Sequence, residues 1–260
     1  MNFRDKLRSH LKSKRVAVAL SGGVDSSALL AFCADFLGSE NCLAITAHTP
    51  YMMARETSYA EKLAARFGVK FLKIEIGTNC EILKNPKDRC YVCKKFLFEK
   101  LKKIAAENGF EILADGTNLD DTKDYRPGMR ALRELGVASP FLECAITKDE
   151  IRDLAKSYNL EVFEKPAYAC LLTRFEHGRE VSEEMLRRVD CAEEFLQDLG
   201  FLQVRIRVHS NLARIEIALD KFGEFMQKRE EICRKMSGLG FKYVSLDLNG
   251  YRQGAMNEKD

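Results

Sequence analysis

Leu20-Ser21-Gly22-Gly23-Val24-Asp25-Ser26-Ser27 follows the apolar run Val16-Ala17-Val18-Ala19 and precedes Ala28-Leu29-Leu30-Ala31-Phe32. The first run reads as a buried strand and the second as the start of a helix. The two glycines let the connection turn tightly and bring backbone close to a ligand. Backbone N–H groups and serine hydroxyls then face outward at a helix N-terminus, where the helix dipole favours an anion. The segment reads as a phosphate site. It lacks the Gly-Lys-Ser/Thr ending of the common nucleotide loop, which argues against a kinase or a GTPase. The plainer alternative is an ordinary glycine turn at a strand–helix junction.

Outward from this turn, strand and helix signals alternate. Strands are expected at Val16–Ala19, Cys42–Ala47, Phe71–Ile76 and Glu111–Ala114, with helices at Ser26–Leu37, Arg55–Phe67 and Tyr91–Asn108. Thr147-Lys148-Asp149-Glu150 has the capping-box pattern and opens a helix to about Tyr158. Such alternation implies a parallel sheet covered on both faces, with ligands at the carboxyl ends of its strands. After an irregular connector, Pro166 to Gly178, the pattern changes. A helix is expected at Val181–Leu199, a hairpin from Gln203–His209 and Ala213–Leu219, a helix at Lys221–Met236 and a strand at Tyr243–Leu248. The expected organisation is a first domain over 1–165, a connector over 166–180 carrying Cys170, and a small α+β domain over 181–260.

The 260 residues carry a net charge of +3, with 46% hydrophobic and 31% charged residues. That is the composition of a soluble globular protein without a general grip on nucleic acid. No stretch has membrane-span length, and the N-terminus lacks a signal-peptide pattern, so a cytoplasmic protein with no membrane partner is expected. Nine cysteines, an odd number, suit a reducing compartment. Cys33, Cys42, Cys144, Cys191 and Cys233 read as small buried hydrophobes, and Cys80 is left unassigned.

Several other segments carry reactive groups. Thr46, ahead of Pro50 at the end of the second strand, is placed to meet adenine or ribose, whereas His48 reads as part of a plain loop. Asp115-Gly116-Thr117-Asn118-Leu119-Asp120-Asp121 ends the fourth strand with oxygen donors suited to a nucleotide or magnesium, or else forms a solvated acidic turn. Arg126 and Arg130 follow, able to neutralise phosphates or to pair with Asp120 or Asp121. Cys90 and Cys93 form a Cys-x-x-Cys at a helix start, beside Arg89 and Lys94. The pair suits a metal, a cluster or a redox disulfide, with Cys170 and His177 able to complete a zinc site, or is simply buried. Cys170, in the connector, is placed to meet a substrate, with Arg174 favouring its thiolate; buried packing is the alternative. Arg205, Arg207 and His209 share one face of a strand, able to bind a substrate phosphate or to pair with Glu216.

The opening string resembles the PP-loop of the ATP pyrophosphatase superfamily, which cleaves ATP between the α and β phosphates. The whole set resembles the LarE family of ATP-dependent sulfur transferases, which help make the nickel-pincer cofactor of lactate racemase. The resemblance runs through Ser21–Ser27, Thr46 with Pro50, Asp115–Asn118 with Asp121, and Tyr125-Arg126-Pro127-Gly128. It continues through Pro166–Arg174, Arg205, Arg207 and the tail from Asp247 to Asn257. It implies an α/β fold, a parallel-sheet PP-loop domain of the adenine nucleotide alpha hydrolase-like type with a smaller C-terminal α+β domain. It implies ATP contacts at Ser21, Gly22, Gly23, Val24, Asp25, Ser26, Ser27, Thr46, Gly116, Thr117, Asn118, Asp121 and Arg126, with Asp25 holding Mg2+. Arg174, Arg205 and Arg207 would meet the phosphate of a pyridinium mononucleotide, whose carboxylate is adenylated and turned into a thiocarboxylate.

One branch of that family sacrifices the sulfur of a cysteine matching Cys170. Another holds a [4Fe-4S] cluster on three cysteines, matching Cys90, Cys93 and Cys170. The three cysteines favour the cluster branch, with Cys170 not consumed and a separate sulfide source. A homo-oligomer is expected from the family. A tRNA thiolation enzyme of the same superfamily, an NAD or GMP synthetase, and a nucleotide sensor with a structural metal are the rival readings. No nucleic-acid partner is expected, since the chain shows no RNA-binding extension.

Overall fold

The structure is a computed structural model that describes residues 2–123, 126–164 and 169–252. In chain order its first half holds α1 (Phe3–Leu11), β1 (Val16–Ala19), α2 (Val24–Leu37), β2 (Cys42–His48), α3 (Ala54–Arg66), β3 (Lys70–Glu75), α4 (Cys80–Leu83), α5 (Arg89–Glu107) and β4 (Ile112–Ala114). Then come α6 (Pro127–Glu134), α7 (Pro140–Glu143), α8 (Lys148–Ser157), α9 (Glu183–Asp198), β5 (Val204–His209), β6 (Leu212–Ile217), α10 (Phe222–Gln227), α11 (Arg229–Gly238) and β7 (Tyr243–Leu246).

The chain divides into two compact units. The first comprises Met1–Thr49, Ala54–Thr78 and Asp88–Tyr168; the second comprises Pro50–Met53, Asn79–Lys87 and Ala169–Asp260.

In the first unit, four parallel strands lie in the order β3-β2-β1-β4. Alternate residues feed opposite faces, and both faces are covered. Val16, Val18 and Ala44 pack with α2 and α8 residues such as Leu29, Phe32 and Leu154. Ala17, Leu43 and Ile45 pack with Leu97, Leu101 and Leu132 from α5 and α6. The chain leaves β1 toward β2 and β3, then returns to place β4 on the other side of β1. This puts a topological switch point between β1 and β4, with Val18 level with Ala114. Ala114 also bridges Ala138 in parallel, lengthening the sheet by one rudimentary pairing.

In the second unit, β5 and β6 pair antiparallel and β7 adds parallel to β6. The expected helix over Lys221–Met236 is instead two helices, because Lys228 leaves the helical conformation at φ −97°, ψ 9° and its ammonium caps the Leu199 carbonyl at 3.0 Å. Cys191 and Cys233 are exposed and Cys144 is half-buried, contrary to the expected burial of all three. The buried stripe of α9 runs through Leu186, Val189, Ala192 and Leu196, and Cys191 lies off it. Helices α1, α4, α6 and α7 had no counterpart in the sequence expectation. Among the described residues, no helix is long and apolar enough to cross a membrane.

Candidate active site

The turn after β1 and the turn after β4 leave the sheet side by side, so the two oxygen-rich segments meet in the first unit. Gly22 holds φ +82°, and a Cβ there would lie 2.5 Å from the Glu56 carbonyl oxygen. Only glycine fits. The loop is braced by its own hydroxyls: Ser26 Oγ accepts from Ser21 N at 3.1 Å and lies 3.0 Å from Ser21 Oγ. Gly23 caps α2 without any side-chain bond, which leaves the first-turn N–H groups uncapped by a side chain. Ser27 is fully buried and its hydroxyl has no hydrogen-bond partner.

Asp25 is the best-defined charge at this turn. Lys148 Nζ donates to both of its oxygens, at 2.7 and 2.6 Å, and Asn118 Nδ2 reaches Oδ1 at 3.4 Å. Burial pushes the Asp25 carboxyl above the usual range, against the pull of Lys148. Lys148 had no functional assignment from the sequence. The capping box of Thr147 and Glu150 marks where α8 begins, and Lys148 is its first residue, with its backbone N–H on Asp120 at 2.7 Å. The signal for the helix was present, but nothing local aims its lysine at Asp25, 123 residues away.

The second turn is equally tied. Asp115 accepts from the hydroxyls of Thr117 and Ser139, the latter at 2.7 Å, and Lys94 Nζ stands 3.7 Å away. Asp115 therefore shapes the turn. Asp121 accepts from Asn118 N at 3.1 Å and pairs with Arg126 at 2.7 Å, the pairing alternative noted for that arginine. Thr46 Oγ1 donates to the Leu20 carbonyl at 2.6 Å, bracing the start of the loop. His48 sits against Thr57 at 3.1 Å, consistent with a structural role. Asp124 and Tyr125 lie outside the described residues, as do Pro166 and the tail from residue 253 onward.

Cys90 is exposed and Cys93 half-buried at the start of α5, neither in a disulfide. Lys94, expected to favour their thiolates, directs its ammonium to Asp115 and the face of Phe98. Among the described residues, no three His, Cys, Asp or Glu side chains are gathered as a metal site.

In the second unit, Cys170 is half-buried and its backbone is held from several sides. Thr173 Oγ1 donates to the Cys170 carbonyl at 2.8 Å, and Arg174 Nη1 donates to the Ala169 and Cys170 carbonyls at 2.6 and 3.0 Å. The rest of the Arg174 fork grips Glu193 at 2.9 and 2.6 Å, with both side chains 0% exposed. The expectation that Arg174 meets a substrate phosphate is corrected here: a fully enclosed guanidinium bonded to a carboxylate braces the Cys170 segment and presents no surface to a ligand. Arg207 bonds Glu216 at 3.0 and 3.1 Å, the cross-strand alternative, and also the Thr173 carbonyl at 2.7 Å. Arg205 is buried over the Tyr251 ring, its centre 5.1 Å from the ring centroid. Burial, with Arg174 nearby, holds its guanidinium below the ordinary value.

Sequence reasoning also missed Asn85. It is fully buried at φ +49°, and its Nδ2 faces the carbonyls of Leu172, Phe175 and Glu176 at 3.2, 3.0 and 2.8 Å. Its signal was the Asn-Pro dipeptide at 85–86, a turn marker with no hint of so distant a partner.

A family model and several relatives match this chain. The NAD synthase family model matches residues 2–108. An uncharacterized protein of Synechocystis sp. is 39% identical over 247 residues, covering 94% of this chain and 92% of the relative. The pyridinium-3,5-bisthiocarboxylic acid mononucleotide synthase of Lactiplantibacillus plantarum is 36% identical, over 94% of this chain and 90% of its own length. An uncharacterized protein of Methanocaldococcus jannaschii is 36% identical over 97% and 96%, respectively.

Proposed function

The chain belongs to the family of pyridinium-3,5-bisthiocarboxylic acid mononucleotide synthases, the LarE family, and we propose that it is an ATP-dependent sulfur transferase acting on the carboxylate of a pyridinium mononucleotide. The observation that carries this is the meeting of the Ser21–Ser27 turn with the Gly116–Asn118 turn at the β1/β4 switch point, around a half-buried Asp25. In this reading residues 1–165 form the ATP domain and Cys170 lies on the connector to the C-terminal domain.

The reaction has two displacements. A substrate carboxylate oxygen attacks the ATP α-phosphorus, the bond to the β-phosphate oxygen breaks, and pyrophosphate leaves. A sulfur nucleophile then attacks the acyl adenylate and AMP leaves, giving a thiocarboxylate. Backbone N–H groups of Gly22, Gly23 and Val24, with Ser21, Ser26 and Ser27, receive the phosphates, where preorganised donors stabilise developing charge. Thr46, Gly116, Thr117, Asn118, Asp121 and Arg126 complete the ATP contacts. The oxygen donors of Asp25, Asn118 and Asp121 suit Mg2+, which would neutralise charge on the leaving pyrophosphate. Arg205 and Arg207 are the cations proposed for the substrate phosphate, with Arg174 setting the Cys170 backbone.

The thiols of Cys90, Cys93 and Cys170, none of them in a disulfide, suit the chemistry of an iron–sulfur ligand set, and a [4Fe-4S] cluster so held would supply the transferable sulfur. Cys170 is then a ligand and is not consumed. A homo-oligomer and a separate sulfide source belong to the same proposal.

The test is anaerobic purification with iron and labile sulfide measured against a Cys90→Ala, Cys93→Ala variant. The protein is then incubated with ATP, Mg2+ and the pyridinium dicarboxylate mononucleotide. Iron lost in the variant, pyrophosphate release and a thiocarboxylate product are expected. Conversion of Cys170 to dehydroalanine after turnover, seen by intact mass, would overturn the cluster and leave the sacrificial-cysteine form of the reaction.

A further inference from the structure

A cavity of 490 Å3 opens in the first unit beside α6, lined by Thr117 and Arg126, proposed above as ATP contacts, and by Arg130, Arg133 and further residues to which the proposed reaction assigns nothing. Its size falls in the range of small-molecule sites. Arg126, Arg130 and Arg133 all line it. Arg130 and Arg133, three apart, share one face of α6, and Arg126 precedes its first residue. Like charges at this spacing repel, so the arrangement gains from an anion placed among them.

Arg126 pairs with Asp121, and Arg130 lies over the Tyr91 ring at 3.7 Å with Glu134 at 3.6 Å. Arg133 has no carboxylate within salt-bridge distance among the described residues. Among the described residues, no carboxylate lines the cavity itself. Leu132, Val137 and Leu142 give the cavity an apolar wall, and Thr117 and Ser139 add hydroxyl-bearing residues.

An anion alone would use the rim and leave the wall dry and unfilled. We propose that this cavity binds a nucleoside monophosphate, its phosphate among Arg126, Arg130 and Arg133, its base against Leu132 and Val137, and its ribose hydroxyls near Thr117 and Ser139. Two sources share that chemistry: the AMP released by adenylation and the pyridine mononucleotide acted upon, whose phosphate would then lie here rather than at Arg205 and Arg207. The pyridine source rests on the reaction proposed above; the site itself does not.

Titration calorimetry on the full chain tests it, with AMP, nicotinic acid mononucleotide and pyrophosphate as separate probes. The variants are Arg130→Gln/Arg133→Gln, which removes two exposed cations, and Met129→Trp, which fills the cavity and keeps the charge. At least one nucleotide should bind the parent, and both variants should weaken it about tenfold or more, the scale of a lost charged hydrogen bond. ATP affinity should stay the same. AMP as the tighter probe marks a product site; the pyridine nucleotide as the tighter probe marks a substrate site. Binding of neither nucleotide, equal affinity in parent and variants, or pyrophosphate binding that matches the nucleotides overturns the proposal. Pyrophosphate release is measured on the same samples. A parent that releases it while its nucleotide affinity ignores both variants keeps the reaction and loses this site. A parent that binds nucleotides as expected but never releases pyrophosphate keeps the site and loses the reaction.

Discussion

Gly116 lies directly over Ser26 at the first turn of α2, so closely that a Cβ at Gly116 would stand 2.7 Å from the Ser26 nitrogen. The two residues belong to different turns of the sheet edge, and their contact joins the phosphate loop to the strand that closes the site. Gly116→Ala is expected to push Ser26 N out of line and to weaken ATP binding more than tenfold. Its cost in stability should be about 1–3 kcal/mol, as for overpacking. Calorimetric ATP titration beside a urea melt measures both; unchanged ATP affinity would remove Gly116 from the site.

Asp25 is expected to trade stability for function. Because burial raises its carboxyl pKa, the folded chain holds that proton to higher pH than the unfolded chain does. Between the unfolded and folded values the native state binds more protons, so this group makes stability fall as pH rises through that window and stay lower above it. Asp25→Asn should therefore melt at the parent temperature or higher at neutral pH and flatten that acid slope, while pyrophosphate release is lost. A variant that melts well below the parent would mean that the Lys148 pair is net stabilising.

Arg174 and Glu193 form an ion pair with both side chains 0% exposed, and Glu193 Oε1 also accepts from Ile206 N at 2.9 Å. Removing one partner leaves a buried uncompensated charge. Glu193→Ala is expected to cost about 3–5 kcal/mol, read from the urea midpoint at constant slope. Replacing both by apolar residues, as Arg174→Met/Glu193→Leu, should recover much of that loss.

Asn85→Ala removes the donors to the carbonyls of Leu172, Phe175 and Glu176 and places alanine at φ +49°. A loss of about 1–3 kcal/mol per uncompensated buried group is expected. Limited proteolysis should now cut within residues 169–178, and a cleavage pattern identical to the parent's would contradict the bracing role.

Native alkylation should sort the cysteines. Burial pushes the Cys33 thiol well up and the Cys42 thiol to about 12, whereas Cys80, Cys90, Cys191 and Cys233 are exposed. In metal-free protein, peptide mapping after brief iodoacetamide treatment should find label on the exposed set and reach Cys33 and Cys42 only in denaturant.

Much of the architecture was legible because its signals are local. Alternating apolar runs located β1 to β4, and the glycine–serine turn located the phosphate loop. The Thr147–Glu150 box located α8. Helix α6 went unseen because Arg126-Pro127-Gly128 reads as a turn, although proline at the first helical position is a helix start. Cys191 was misplaced because an apolar setting in the sequence does not say which side of a helix faces the core.

What the sequence by itself determined was the order of the strands and of the helices between them that carry a clear hydrophobic period, the glycine–serine turn after β1 and the family. These follow from patterns spanning a few residues, since backbone preference and hydrophobic period act over that range. Only the tertiary structure decided that Lys148 faces Asp25, that Arg174 is enclosed with Glu193, and that Asn85 holds the connector. Those pairings join residues 123, 19 and 90 positions apart. Desolvation makes such contacts strong, and desolvation exists only once the chain has closed around them.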